Sequence, residues 1–242
     1  MTEPCLLDND VVLKISAYQL LEETLLQFTI DGTAPAMLGV GRFVLRKKAK
    51  RSERFVNTNA VVASVADAID RLQLVEPTNE EVELAAALEE SAIEAGVALD
   101  TGEAQLLSVL IKRGSPIFAT GDKRATEAIT ALAPPEITGR LVCLEQIFLC
   151  LLKQVPFVDV RHKVCQEPKA DKAIASCFSC ASIASSGFDP ASTREGLRSY
   201  IESLRKASGG GVDARSGALS VHRAGKRRRE RANLRRGQYV RF

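Results

Sequence analysis

The sequence has few histidines and no long apolar stretch. Its 242 residues include only His162 and His222 as histidines. A Ser-His-Asp or Cys-His catalytic arrangement would have to use one of them, and neither has a recognisable partner motif. No apolar run reaches the length of about 18 residues that indicates a membrane-spanning helix. The sequence also lacks a Gly-x-Gly-x-x-Gly motif after a strand and a Walker-type phosphate loop, which excludes those nucleotide-binding classes.

The first residues and the cysteines together favour a cytoplasmic location. Residues 1–4, Met-Thr-Glu-Pro, lack the basic segment that opens a secretory signal. Six cysteines in a chain without an export signal are expected to be free thiols. His162, Cys165, Cys177 and Cys180 have a spacing that could form a tetrahedral zinc site. Because the last two fall inside a predicted helix, where such pairs are commonly core residues, we do not expect zinc there.

Length and composition fit an α/β domain followed by smaller pieces. Hydrophobic residues make up 45% of the chain and charged residues 26%, which is ordinary for a globular protein. Residues 1–155 alternate predicted strands with helices, which indicates a three-layer α/β/α fold around a central parallel sheet. Residues 156–207 are predicted to form a helical extension, and residues 208–242 a flexible basic tail.

Apolar spacing and end signals place the predicted elements. Buried strands are expected at residues 5–7, 116–120 and 139–143. The spacing predicts helices over residues 11–28, 35–50, 59–72, 78–95, 102–113, 122–132, 144–153, 171–184 and 193–207. Thr78 and Glu81 have the spacing of a capping box, Asp10 is a candidate N-cap of the first helix, and Gly114 ends the helix over 102–113.

Four acidic residues lie where a strand or loop is predicted to lead into a helix: Asp8, Asp10, Glu103 and Asp122. In a parallel α/β sheet the carboxyl ends of the strands share one edge, and ligands bind there. Carboxylates that converge at that edge repel one another and are costly to desolvate unless a cation joins them. Clusters of oxygen ligands suit Mg²⁺ or Mn²⁺, so the sequence predicts a metal-dependent phosphodiesterase.

Each acid alone also has a simpler explanation. Asp8 could begin a helix, Glu103 could complement the helix dipole in a first turn, and Asp122 could be an N-cap. It is the expected position of all three at one edge of the sheet that favours a shared divalent ion.

The motifs around these acids resemble those of the PIN domain. They are the apolar-apolar-Asp-x-Asp/Asn-apolar-apolar pattern at Asp8, Gly-Glu-Ala at Glu103, and Ala-Thr-Gly-Asp-Lys-Arg-Ala at Asp122, and the resemblance covers roughly residues 5–150. PIN domains are small α/β nucleases related to flap endonucleases and are common in bacterial RNA-cleaving toxins. The resemblance implies that these three acids are catalytic and hold one or two Mg²⁺ or Mn²⁺ ions, with Asp10 as a further ligand or a cap. It also implies hydrolysis of RNA by water that the ions activate.

One position departs from the family pattern. The family usually supplies another Glu from a helix after the second strand, but residues 37–46 contain no acid and include Arg42, which could partly neutralise the cluster. Asp31, or an acid between Thr78 and Glu94, could substitute. The alternative is a catalytically degenerate PIN-like scaffold that binds nucleic acid or protein partners. A toxin paired with an antitoxin is a third interpretation, although the chain is longer than compact toxins of the family.

Basic residues indicate how a nucleic acid could bind. Residues 222–242 carry nine Lys or Arg residues and one Glu, and such charge follows a phosphate backbone without reading sequence. We expect a nucleic-acid partner, RNA above all, and no membrane; a protein partner and a homo-oligomer stay open. The candidate nucleic-acid-binding residues are Arg46, Lys47, Lys48, Lys226, Arg227, Arg228 and Arg229.

Overall fold

The computed structural model of the chain describes residues 2–132, 137, 139–181 and 189–207. Five parallel strands form one sheet in the order β3-β2-β1-β4-β5. The strands are β1 (Leu6–Leu7), β2 (Ala36–Leu38), β3 (Gln73–Val75), β4 (Phe118–Thr120) and β5 (Leu141–Cys143). The helices are α1 (Asn9–Ala17), α2 (Leu21–Phe28), α3 (Gly41–Ala49), α4 (Thr58–Arg71), α5 (Asn79–Ala95), α6 (Thr101–Arg113), α7 (Lys123–Leu132), α8 (Leu144–Leu151), α9 (Phe157–Gln166), α10 (Lys172–Cys177) and α11 (Pro190–Ala207). The α/β class and the parallel sheet expected from the sequence are confirmed.

Helices cover both faces of the sheet. Leu7 and Met37 point to a hydrophobic cluster that includes residues of α1, α4 and α8. Leu6 and Phe118 point to a second cluster on the opposite face, with residues of α6 and α7. Because successive strand residues face opposite sides, a strand buried on both faces must be apolar throughout. The short apolar strands therefore need helices on either side to remove them from water.

Capping groups set the ends of α5 and α6, which pack side by side. Thr78 and Glu81 form the reciprocal capping box that the sequence predicts for α5. Gly96 and Gly114 end the two helices with φ of 67° and 70°, a left-handed conformation that favours glycine. At the far end of α6, Arg113 donates two hydrogen bonds of 2.6 Å to the buried Glu81 carboxylate. This pair fixes the position of α6 along α5.

The amino-terminal helix predicted over residues 11–28 is wrong in two respects. The structure has two helices there, α1 and α2, because the chain turns at Gln19, whose φ is 53°. The turn is stabilised by the Gln19 amide, which donates to the Ser16 carbonyl at 2.8 Å. The N-cap of α1 is Asp8 and not Asp10, since the Asp8 carboxylate accepts from two backbone N–H groups of the first turn.

The sequence also misses two strands. A helix predicted over residues 35–50 is in fact β2 followed by α3, and β3 follows directly after α4. Both strands have only three residues, and in β3 the first two are exposed. Strands this short carry too little alternation to separate them from a neighbouring helical pattern. Of the other predicted helices, the one over 171–184 is described only up to residue 181, and its helical part ends at Cys177.

The helical extension packs into the core of the α/β part. Phe178 stacks on Phe157 with ring centroids 6.0 Å apart and contacts the edge of Phe148 at 5.6 Å. Phe148 in turn contacts Tyr18 of the first helical segment at 5.6 Å. The division of the chain near residue 155 stays a prediction, but the aromatic contacts put both parts in one hydrophobic cluster. The predicted tail, residues 208–242, lies outside the described residues.

The extension contains a disulfide, whereas free thiols are expected from the sequence. Cys165 and Cys180 are bonded, with Cα atoms 5.0 Å apart, so the prediction of thiols throughout is wrong for this pair. The prediction used the expected compartment, whereas the bond depends on α9 and the turn after α10 being adjacent. Two of the four candidate zinc ligands are thus unavailable as thiolates. Among the helices that the structure describes, none is long and apolar enough to cross a membrane.

Replacement of Arg113 by Met should destabilise the protein at neutral pH. The change leaves Glu81, which is 2% exposed, without its partner, and we expect a loss of about 1–3 kcal/mol in the free energy of unfolding. Hydrogen bonds from Arg113 lower the pKa of Glu81. The stabilisation is therefore present above the ordinary carboxyl pKa and is lost as the pH falls below it. Denaturant titrations at pH 7 and pH 3 measure both effects.

Lys112→Met is the matched control for this experiment. Lys112 precedes Arg113 on the same helix and forms a 3.7 Å ion pair with Glu80, whose side chain is 80% exposed. Exposed pairs of this kind contribute about 0–1 kcal/mol. An equal loss in both variants would contradict a special role for the Arg113–Glu81 pair.

Candidate functional site

The carboxyl ends of β1 and β4 bring two of the predicted acids to neighbouring positions. Leu7, the last residue of β1, pairs with Ala119 of β4. The backbone N–H of Asp8 donates to the Ala119 carbonyl at 2.9 Å, which continues the pairing by one residue. Asp122 follows Ala119 by three residues, in the turn between β4 and α7. Both acids therefore lie at the same edge of the sheet, as the sequence predicts.

Asp8 is nearly buried, and its carboxylate caps α1. It accepts hydrogen bonds from the backbone N–H groups of Asn9 at 2.6 Å and Asp10 at 3.3 Å. Burial raises the pKa of Asp8 to about 6, and the charges of Asp10 and Asp100 contribute to the increase. The two backbone donors oppose this increase without cancelling it.

Glu103 reaches the same edge from the first turn of α6. Its carboxylate accepts from the Asp100 backbone N–H at 3.0 Å, while the Asp100 carboxylate accepts from the Glu103 N–H at 2.8 Å. Burial raises the pKa of Glu103 to about 8, and the charges of Asp100, Asp8 and Asp122 contribute to the increase. Four carboxyl groups, which we call the acidic group (Asp8, Asp100, Glu103 and Asp122), therefore act on one another electrostatically.

Three members of the acidic group have a shifted pKa, and Asp122 is the most exposed of them. It already has a cationic partner, Arg124. Burial opposes ionisation, but hydrogen bonds from Arg124 outweigh it and hold the pKa of Asp122 below its ordinary value. The Arg124 backbone N–H lies 2.8 Å from the carboxylate, and its guanidinium 3.0 Å. A cleft of about 300 Å³ beside these two residues is lined by Asp100, Glu103 and the apolar residues Ile93, Val97 and Leu99.

Asp10 forms ion pairs with two cationic side chains. Its carboxylate lies 2.5 Å from the Lys14 ammonium and 3.5 Å from the Arg54 guanidinium. Lys14 also contacts Asp171 of the extension at 2.8 Å. Although burial opposes the charge on Lys14, the two aspartates outweigh it and raise the pKa of Lys14. Asp10 is thus a member of an ion-pair network as well as a neighbour of Asp8.

The other residues singled out in the sequence have mixed positions. Arg42 lies over the Phe43 ring, 4.7 Å from its centroid. Arg46, Lys47 and Lys48 lie in the last turn of α3. The basic residue that forms an ion pair with Asp10 is Arg54, which follows α3. The four basic tail residues, Lys226 to Arg229, lie outside the described part of the chain.

No described acid fills the place of the family's second glutamate. Asp31 lies in a turn before β2, at the amino end of that strand and so at the opposite edge of the sheet. Glu81 is paired with Arg113. Among the acids between Thr78 and Glu94, Glu89 lines the 300 Å³ cleft, together with Asp100, Glu103 and Asp122. Within residues 2–132, 137, 139–181 and 189–207, no three His, Cys, Asp or Glu side chains are arranged to hold a metal ion as they stand.

Sequence reasoning missed three contributors to this edge. Asp100 carries a signal, since Asp100 and Glu103 have the spacing of a capping box and so place two acids at one helix start. Lys14 stands four residues after Asp10, which is the spacing of an ion pair on one helix face. Asp171 carries no signal, because it meets Lys14 through a contact between residues far apart in the chain. No protein-family model, curated protein or solved structure matches this chain.

Replacement of Glu103 by Gln should stabilise the protein at alkaline pH. The folded state holds the Glu103 proton up to about pH 8, whereas the ordinary value is 4.5. Stability due to this group is therefore highest at low pH and falls as the pH rises between these values. Gln keeps the capping hydrogen bond and removes the charge, so we expect a gain of about 2 kcal/mol at pH 8.5 and much less at pH 5. Thermal unfolding should show a rise of roughly 4–8 °C at the higher pH.

Glu90→Gln is the matched control, because Glu90 is an exposed carboxylate on the neighbouring helix α5. It should leave the melting temperature within about 1 °C at both pH values, as exposed substitutions usually do. A melting temperature of Glu103→Gln that does not depend on pH relative to the wild type would contradict the burial argument.

Proposed function

We propose that this protein is a metal-dependent nuclease of the PIN type that cleaves RNA. The observation that carries the proposal is the burial of Asp8 and Glu103 beside Asp100 and Asp122. Among the described residues, no ion pair is formed by Asp8 or Glu103, and both carboxyl pKa values are raised. A cluster of this kind is costly in the folded state unless a cation joins it.

The positions of the acids in the fold support this proposal. Asp8 follows the first strand, Glu103 lies in the first turn of the helix before the penultimate strand, and Asp122 follows the Thr-Gly turn at the end of β4. These are the positions that the resemblance to the PIN domain implies. The preference for RNA comes from the resemblance alone.

Asp8 and Glu103 would hold the ion through their carboxylate oxygens, with Asp122 as a third ligand. Oxygen ligands of this type suit Mg²⁺ or Mn²⁺. A divalent ion bound there would activate water and stabilise the charge that develops on the phosphodiester. Glu103 must lose its proton to act as a ligand, and Asp122 must exchange its hydrogen bonds with Arg124. We therefore expect binding and cleavage to increase with pH up to about pH 8.

A catalytically degenerate scaffold of the same fold is the second candidate. Two observations favour it: Asp10 and Asp122 already have cationic partners, and α3, the helix after β2, contains no acid. In this case the basic residues would bind nucleic acid or a protein without cleavage. A cleavage assay separates the two candidates.

The protein should cleave single-stranded RNA in Mn²⁺ and not in EDTA. Asp8→Asn and Glu103→Gln remove an oxygen charge from the proposed ligand set and should each reduce the rate by about 100-fold or more. The measurement is the rate of product formation from an end-labelled oligoribonucleotide on a denaturing gel, at pH 8 and equal protein concentration.

Glu90→Gln controls for loss of an exposed carboxylate and should keep the wild-type rate. Cleavage that survives in both Asp8→Asn and Glu103→Gln would indicate a contaminating nuclease. If the folded wild-type protein shows no cleavage with Mn²⁺, the scaffold is favoured over the nuclease.

Mn²⁺ should also stabilise the protein, independently of any cleavage. Ligand that binds only the folded state raises its stability by about 2.7 kcal/mol at 100 times the dissociation constant. Because protons compete for Asp8 and Glu103, the increase in melting temperature should be larger at pH 8 than at pH 5.5. The increase should disappear in Asp8→Asn. An equal increase in that variant would place the ion elsewhere.

A further inference from the structure

A second cleft, which we call the basic cleft, opens beside the acidic group. It has a volume of about 510 Å³ and shares Asp122 and Arg124 with the 300 Å³ cleft that Glu103 lines. Segments distant in the chain form it, among them α1, the turn between β4 and α7, and the loop before α10. Its six cationic residues are Lys14, Arg54, Lys123, Arg124, Lys169 and Lys172.

The carboxylates of the basic cleft are outnumbered and already paired. Asp10 and Asp171 share the Lys14 ammonium, and Asp10 also contacts Arg54. The third carboxylate, Asp122, pairs with Arg124. The remaining cations are Lys123, Lys169 and Lys172, all of them exposed. In the described part of the chain none of these three forms an ion pair, although the Lys123 ammonium lies 4.2 Å from the centre of the Tyr200 ring. The cleft therefore has an excess of positive charge that faces solvent.

Two of these lysines, Lys169 in the loop before α10 and Lys172 at the start of α10, lie in a segment that is held at both ends of the loop. At its start, the buried Glu167 carboxylate accepts hydrogen bonds from the backbone N–H groups of Val56 and Asn57. At its end, the Asp171 carbonyl accepts from the Tyr18 hydroxyl at 3.3 Å, and the Asp171 carboxylate binds Lys14 and caps α10. Lys169 and Lys172 are thus presented by a backbone that is fixed before any ligand arrives, which reduces the entropy lost on binding.

We propose that the basic cleft binds phosphate groups of a nucleic-acid strand, next to the phosphodiester that the acidic group would act on. The inference rests on the proposed function for the identity of the strand. Phosphate oxygens are the ligands that clustered Lys and Arg side chains bind best. Lys169 and Lys172 belong to the helical extension, so the extension supplies part of the substrate site. Contacts of this kind add affinity and fix the register of the strand without selecting sequence.

Binding of RNA in EDTA tests the proposal without cleavage. The probe is a fluorescein-labelled oligouridylate of about ten nucleotides, and the measurement is fluorescence anisotropy on the full chain over a range of salt concentrations. The double variant Lys169→Ala/Lys172→Ala should bind about tenfold more weakly. The slope of log affinity against log salt should fall by about 0.7 for each phosphate that is no longer neutralised by a lysine, thus by about 1.4 for the pair.

Lys112→Ala/Lys206→Ala is the matched control, because it removes the same charge from exposed residues that do not line the basic cleft. It should bind within about twofold of the wild type. An equal loss in both double variants, or no loss in either, would overturn the proposal. So would competition by oligoglutamate as strong as that by unlabelled oligouridylate, because the cleft would then select acidic polymers in general.

The outcome can be separated from that of the cleavage assay. If the lysine variants weaken binding but the wild type never cleaves RNA, the basic cleft stands and the nuclease does not. If the wild type cleaves and the lysine variants bind normally, the nuclease stands and the basic cleft does not.

Discussion

The constraint on which this structure depends is the burial of two carboxyl groups at the edge of its sheet. Asp8 and Glu103 are removed from water, which raises the pKa of both. The charge of Asp100 adds to both increases, and the charges of Asp8 and Asp122 add to that of Glu103. Capping hydrogen bonds hold both side chains in place, but such bonds do not neutralise charge. The folded state can relieve this repulsion by binding protons or by binding a cation. Protons supply this relief at Asp8 up to about pH 6 and at Glu103 up to about pH 8, and above these values a bound cation would supply it.

Much of the fold could be predicted from apolar spacing and helix signals, but the shortest elements could not. The capping box of Thr78 and Glu81 located the start of α5, and Gly114 located the end of α6, because these signals are local. Length alone does not explain why β2 and β3 were missed, because β4 and β5 are no longer. β2 leads almost directly into α3, and two of the three residues of β3 are exposed, so neither strand stands out as a separate buried apolar run. The pairing of β2 with β1 and of β3 with β2 is a long-range property. The break at Gln19 was missed because a non-glycine residue rarely adopts positive φ.

For the candidate site, the sequence located the acids but not their neighbours. Asp8 and Asp122 follow from one topological rule, that parallel strands end at a common edge. Glu103 does not follow from it, because its helix α6 comes after α5 with no strand between them. The pairing of Asp10 with Lys14 has i,i+4 spacing, but the contacts of Asp10 with Arg54 and of Lys14 with Asp171 are revealed only by the folded chain. Likewise, Lys169 and Lys172 carry no motif. They become relevant because Glu167 binds the backbone of residues 56–57 and Asp171 binds the Lys14 side chain, which fixes the segment between them.

The aromatic contacts between Tyr18, Phe148, Phe178 and Phe157 bear on how this protein could be taken apart. Aromatic rings of this size each bury about 150–250 Å². A fragment that ended after α8 would lack Phe157 and Phe178 and would expose the hydrophobic surface around Tyr18 and Phe148 to solvent. The α/β part has therefore become dependent on the helices that follow it, and gene fusion or shuffling that separated them would yield an aggregation-prone product.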